Sequence, residues 1–364
     1  MPLKRIATWF GLGLVATLAL WAASRWLTAP VPQPSPAQRF EASIGDEARG
    51  APTIDYARLD ERLRRLSEDP AMVGLAVGIV EGGQIRFIKG YGRTFAGGNE
   101  PVTTDTVFRW ASLSKGVAAD MVALLAHEGR LSLNDPVGRY AASLHLPEGY
   151  EQRAQVADLL SHQLGLFAHA QDSKLEDGIE PHYLRGTLAT LHNICAPGAC
   201  HAYQNVAYDA ASEIVERLTG RPYGEVLRER LFAPLGMTGA STSRAGLMQS
   251  RSWARPHVGG HPTRPEEVND IYYRVPAAGG VNGTIKDLSF WMMAQMGLAP
   301  EVLPPEVLTW VQTPVAGPPG ATPAAAAGSP SARRPPATAW AGGCSIMPAT
   351  ASSAIMAGCA ATAR

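Results

Sequence analysis

From Val117 to Leu125 apolar residues recur at helical spacing, with Ala118, Met121, Val122 and Leu124 completing one face before Gly129. That period predicts a helix with a buried stripe, stopped by a glycine suited to a left-handed backbone. The same spacing marks helices at Tyr56, Leu59, Leu63 and Leu66, at Val156 to His162, at Ala207 to Leu218 ahead of Gly220, at Tyr223 to Phe232, and near Leu288 to Met296. Two runs read instead as strands: Leu75 to Val80 and Ile85 to Tyr91 flank Gly82-Gly83 and predict an antiparallel hairpin. Residues 171–197 lack a clean period and are expected to form loop walls over a cleft. The fold class is therefore α/β (α+β), an antiparallel sheet flanked by helices, with a mainly helical lobe from Ser112 to Leu235.

The two ends of the chain depart from that pattern. Lys4 and Arg5 precede an apolar run from Ile6 to Ala23, followed by Arg25. Residues 1–30 thus read as a signal peptide, with Ala22-Ala23-Ser24 a cleavage site, or as an N-terminal membrane anchor. Either predicts a periplasmic or other extracytoplasmic protein, free or held in the inner membrane. Pro30, Pro32, Pro34 and Pro36 open a Pro-rich linker over 31–52. The folded domain is expected over 53–315, and a low-complexity tail over 316–364.

The chain of 364 residues has 46% hydrophobic content, and 32 basic residues balance 32 acidic ones. Zero net charge argues against a nucleic-acid partner and for a small-molecule or peptide substrate. Cys195 and Cys200 bracket the turn-forming Ala-Pro-Gly-Ala, and either a disulfide or two free thiols fits that spacing. No metal or haem spacing appears, and no cofactor is expected.

The chemistry concentrates at Ser112-Leu113-Ser114-Lys115, at the head of the first helix. Residues three apart share a helix face, so a hydroxyl and an amine stand one turn apart. A lysine beside a buried face loses water and has a lowered pKa, which lets it take the serine proton. The helix start favours negative charge on an attacked carbonyl, with the Ser112 amide a candidate oxyanion donor. Tyr203-Gln204-Asn205 adds a phenol that relays a proton and an amide that binds a carbonyl or the lysine. There is no Gly-x-Ser-x-Gly elbow, and His127-Glu128 lacks the second histidine of a zinc-protease helix. Nine histidines leave a Ser-His-Asp triad open, but nothing locates one.

Four phrases from about Gly74 to Met296 carry a family resemblance. They are Phe108-Arg109-Trp110-Ala111-Ser112-Leu113-Ser114-Lys115, Gly129 to Val137, Leu159-Leu160-Ser161-His162 with Gly165-Leu166, and Tyr203-Gln204-Asn205-Val206-Ala207-Tyr208. Together they resemble the serine β-lactamase and penicillin-binding-protein superfamily, in its class C-like branch of D-alanyl-D-alanine peptidases and carboxylesterases. The resemblance implies acylation of Ser112, proton transfer by Lys115 and Tyr203, and substrate positioning by Asn205. It makes His162 structural. The implied substrate is a β-lactam, a peptidoglycan stem peptide ending in D-alanine, or an ester.

The end of the chain departs from that family. A Lys- or His-containing triplet ending in Gly should follow residue 310, yet no Asp, Glu or Lys occurs after Glu306. The tail is rich in Ala, Pro, Gly, Ser and Thr, so the C-terminal strands are expected to be missing. If GC-ending codons are mostly chosen, an alternative frame entered near Pro314 to Pro319 can yield a strand-like string carrying a His-His-Gly or His-Gly-Gly triplet, as expected of an out-of-frame tail. Without those strands the chain is expected to be weakly active or inactive, an envelope protein that binds peptidoglycan without turnover, or a misfolding pseudogene product.

Overall fold

A computed structural model describes residues 33–44, 52–257 and 265–314, together with the backbone of 344–348 and 354–362. The signal or anchor expected over 1–30 and most of the tail lie outside the described residues. Among the described residues no helix is long and apolar enough to cross a membrane. The stretch read as an extended linker holds a helix, α1 (Pro36–Ala42). Proline is accepted in a first helical turn, where its missing N–H costs nothing. Phe40 on this helix is buried, its ring 5.7 Å from that of Phe290.

α2 (Tyr56–Leu66) starts at Asp55, whose side chain accepts from the Arg58 N–H at 2.9 Å. β1 (Met72–Glu81) and β2 (Gln84–Gly92) form the hairpin, in register from Gly74 opposite Gly92 to Glu81 opposite Gln84, with a bulge at Ile79/Val80. Because strand side chains alternate, Leu75, Val77 and Ile79 face α2 at Leu59 and Leu63, while Ala76 and Val80 join the main core. β1 is covered on both faces, which explains its nearly continuous apolar run.

β3 (Phe108–Arg109) leads to α3 (Ser114–His127). The helical lobe follows with α4 (Val156–Leu160), α5 (Asp172–Glu176), α6 (Pro181–Thr187), α7 (Ala210–Thr219), α8 (Tyr223–Leu227) and α9 (Arg244–Met248). α7 ends at Gly220, whose φ of +69° gives the left-handed cap. The chain returns through α10 (Pro276–Gly279), β4 (Asn282–Gly283), α11 (Ile285–Gln295) and α12 (Pro305–Gln312). β4 pairs with β3, Asn282 opposite Arg109, and so ties the returning segment to the residues before Ser112.

The expectation of missing C-terminal strands is corrected. β5 (Cys344–Pro348) and β6 (Ala354–Thr362) complete a four-stranded sheet in the order β2-β1-β6-β5. β6 runs antiparallel to β1 from Met72 opposite Thr362 to Glu81 opposite Ala354. Strand pairing is made by main-chain N–H and C=O groups, so a segment of small residues without a periodic pattern can still cover an open strand edge. Composition reports side chains and misses this.

Candidate active site

Ser112 occupies a tight turn, Ala111–Leu113, that runs straight into α3. Ala111 has φ +47°, a left-handed backbone that costs a non-glycine residue on the order of 1 kcal/mol. Three hydrogen bonds hold it. The Trp110 N–H donates to Val281 O at 2.8 Å, the Val281 N–H to Ser114 Oγ at 2.9 Å, and the Ser114 hydroxyl to Ala111 O at 2.6 Å. Trp110 is fully buried and stacks on Trp291 at 5.9 Å. Gly116 permits that packing, since a Cβ there would lie 2.8 Å from the Trp291 ring. Ser112 is thus fixed by the core and by the returning chain at 276–281.

Lys115 is only 6% exposed. Its Nζ donates to Asn205 Oδ1 at 2.7 Å and to Ala278 O at 2.9 Å, and reaches Ser112 Oγ at 3.5 Å. Burial pushes its pKa down to about 7, against the opposing pull of the Asp172 and Asp209 carboxylates. The Tyr203 hydroxyl donates to Ser112 Oγ at 2.5 Å. Burial raises the Tyr203 pKa, so the phenol keeps its proton at neutral pH. The Lys115 nitrogen lies 4.6 Å from the centre of the Tyr203 ring and 5.4 Å from that of Tyr208, whose hydroxyl donates to Lys115 O at 2.8 Å. The four residues singled out in the sequence, Ser112, Lys115, Tyr203 and Asn205, therefore meet at one place.

Around them stand further groups, of which Arg185, Asp209 and Asp172 were not revealed by sequence spacing. Arg185 and Asp209 form a buried ion pair at 2.9 Å, and Asp209 also accepts from the Ala277 N–H at 3.0 Å. This pins α10 so that the Ala278 carbonyl faces Lys115. Asp172 accepts from Asn205 Nδ2 at 2.7 Å. His162, with φ +60°, accepts from the Gln204 N–H through Nδ1 at 3.1 Å. Burial drives its pKa to about 3, leaving a neutral acceptor that positions the 203–205 segment. Cys195 and Cys200 are joined in a disulfide just ahead of that segment.

The Beta-lactamase family model matches residues 59–357. The chain belongs to the Beta-lactamase family. Within the serine β-lactamase and penicillin-binding-protein superfamily it is similar to the D-alanyl-D-alanine-carboxypeptidase/endopeptidase AmpH of Escherichia coli, 28% identical over 227 residues that cover 60% of this chain and 56% of that one. It is also similar to the esterase EstB of Burkholderia gladioli, 28% identical over 222 residues, covering 57% and 55%. The chain thus spans little more than half the length of these relatives. Two solved structures share the fold. The octameric penicillin-binding protein homologue from Pyrococcus abyssi has a TM-score of 0.62 at 20% identity, over 70% of this chain and 59% of that one. A class C beta lactamase has a TM-score of 0.60 at 23% identity, over 71% and 70%.

One part of the site in this Beta-lactamase family member differs from the expected pattern. β5 runs beside the Ala111–Leu113 turn that holds Ser112. Its sequence is Cys-Ser-Ile-Met-Pro, with no Lys, Arg or His. The strand is present, but the cationic triplet is not.

Proposed function

We propose that this protein is an exported serine hydrolase working through an acyl-serine intermediate, with an ester as the favoured substrate. Ser112 Oγ attacks the acyl carbon while neutral Lys115 takes its proton, and the Tyr203 hydroxyl donates to the leaving atom as its bond to carbon breaks. Water then attacks the Ser112 ester, giving a proton to the Tyr203 phenolate, and Ser112 Oγ leaves with the proton held by Lys115, which restores all three groups. The observation that carries this reading is the convergence on Ser112 Oγ of a lysine whose pKa lies near neutrality and a protonated phenol 2.5 Å away. A β-lactam or a D-Ala-D-Ala peptide carries a carboxylate, which meets no cation on β5, whereas an ester needs none. The apolar run from Ile6 to Ala23 and the Cys195–Cys200 disulfide support export.

The test is covalent labelling of the folded chain. A fluorophosphonate probe should modify Ser112, the Ser112→Ala variant should not react, and a p-nitrophenyl ester should be turned over. A folded sample whose Ser112 reacts with neither the fluorophosphonate nor a fluorescent penicillin removes the hydrolase reading. It would leave a second one, a peptidoglycan-binding envelope protein, which the absent triplet favours and which muropeptide binding without turnover would support. We infer further that the tail arose by a frameshift near Pro314 to Pro319. An intact genomic reading frame across Pro314 to Trp340, with no family-like alternative product, would refute that.

A further inference from the structure

One charged group beside the catalytic lysine has no part in the chemistry above. Asp172 opens α5, and its side chain is 12% exposed. Its Oδ2 accepts from Asn205 Nδ2 at 2.7 Å and from His169 Nδ1 at 2.8 Å. Oδ2 accepts both of these hydrogen bonds, so the group it meets on Asn205 is the NH2. The amide oxygen is therefore the atom turned toward Lys115, where it accepts from Nζ at 2.7 Å.

That orientation matters because a neutral amine has two N–H bonds and one lone pair. In Lys115 the two N–H bonds are taken by Asn205 Oδ1 and by Ala278 O. The lone pair is left for Ser112 Oγ, 3.5 Å away. An Asn205 amide turned by half a rotation would present its NH2 to Lys115, draw the lone pair to itself and leave the Ser112 proton without an acceptor.

We propose that Asp172 is a positioning residue for acyl transfer, acting through the Asn205 amide to aim the Lys115 lone pair at Ser112. The proposal rests on the acyl-serine reading for its consequence in rate, but its geometry does not. Asp172 also contributes charge, favouring the lysine ammonium and so raising the pH at which the lone pair appears. The other groups facing Lys115 are Asp209, already paired with Arg185 and the Ala277 N–H, the imidazole of His162, and the phenols of Tyr203 and Tyr208. Asp172 itself faces His169, and Tyr272, which lies within its field, donates to Glu176 at 2.9 Å.

The experiment compares the full chain with Asp172→Asn, Asp172→Ala and Asp172→Glu. The Lys115 titration is followed by NMR of the lysine side chains, alongside the pH profile of Ser112 labelling by a fluorophosphonate. In Asp172→Asn and Asp172→Ala the Lys115 midpoint should fall by about one pH unit, since a nearby anion is lost. Asp172→Asn keeps an oxygen for the Asn205 NH2 and should label several-fold more slowly, while Asp172→Ala, free to let the amide turn, should lose roughly tenfold or more. Asp172→Glu restores the charge and should bring the midpoint back to that of the parent. A melting temperature that drops while the Lys115 midpoint stays fixed would reveal a merely structural role and overturn the proposal. So would an Asp172→Glu midpoint displaced as far as that of Asp172→Asn. The NMR midpoint can be read even in a chain that never labels, so failure of the hydrolase reading and failure of this one are told apart.

Discussion

At the scale of the residue, burial decides what each titratable group can do. With the Lys115 pKa brought to about 7, the neutral form grows as pH rises through neutrality, and Ser112 labelling should rise roughly tenfold between about pH 6 and about pH 8. A pH-independent rate, measured with the fluorophosphonate, would show that Lys115 is not the base. Tyr203→Phe removes the donor to Ser112 Oγ and should slow labelling by roughly a hundredfold. Asp120, on α3, shows burial acting without a compensating cation. Its Oδ2 accepts from Trp291 Nε1 at 2.8 Å and from Gln295 Nε2 at 2.6 Å, Oδ1 has no partner among the described residues, and burial lifts its pKa to about 7. The folded state then holds a proton that the unfolded state has released, so this residue's contribution to stability is lost as pH rises from about 4 to about 7. Asp120→Asn should flatten that slope and be more stable than the parent above about pH 7, by roughly 1 kcal/mol or more, in urea unfolding at the two ends of the range.

Elements carry those residues to one another, and here the sequence was legible unevenly. Ser112 and Lys115 could be paired because a helix fixes what lies three residues apart. Tyr203 and Asn205 were found through their order after Ser112, which is a property of the family. Asp172 was hidden because it lies in the aperiodic 171–197 stretch, and only tertiary contact connects it to Asn205. The Ala278 carbonyl was equally hidden, since a backbone oxygen leaves no mark on residue type. The disulfide loop belongs to the same level. The Ile194 N–H donates to Gly165 O and the Gly198 N–H to Gln163 O, each at 2.8 Å, and the Ala202 N–H to His162 O at 2.9 Å. Gly165 has φ +83°, and a Cβ there would stand 2.4 Å from Cys195 O, so the two loops are packed backbone to backbone. Replacing Cys195 and Cys200 by alanine should cost about 2 kcal/mol, from the entropy of closing so short a loop. Labelling of Ser112 should fall several-fold as Tyr203 loosens, while the Lys115 midpoint stays where it was. A labelling rate unchanged in the double variant would show that the clamp serves stability alone.

For the whole molecule, the question is what the last strands supply. Backbone pairing lets β6 cover the edge of β1 and brings β5 beside the Ala111–Leu113 turn, so the β1 edge is covered whatever the tail encodes. Side-chain chemistry is another matter, because β5 brings no cation to the site. The two contributions separate by experiment. Deleting residues 316–364 exposes the β1 edge and should lower the melting temperature and promote self-association, since an open strand edge recruits other edges. Replacing the same residues by the frame-restored sequence keeps the sheet and adds the His-containing triplet opposite Ser112. A fluorescent penicillin, which bears a carboxylate, should then label Ser112 at least roughly a hundredfold faster than it labels the present chain. A fluorophosphonate, which bears none, should gain much less. Equal gains for both probes would mean that the restored strand improves the oxyanion site in general and not carboxylate recognition. No gain for either would mean that the present tail already provides all the chemistry that Ser112 needs, and the ester preference argued from β5 would fall with it.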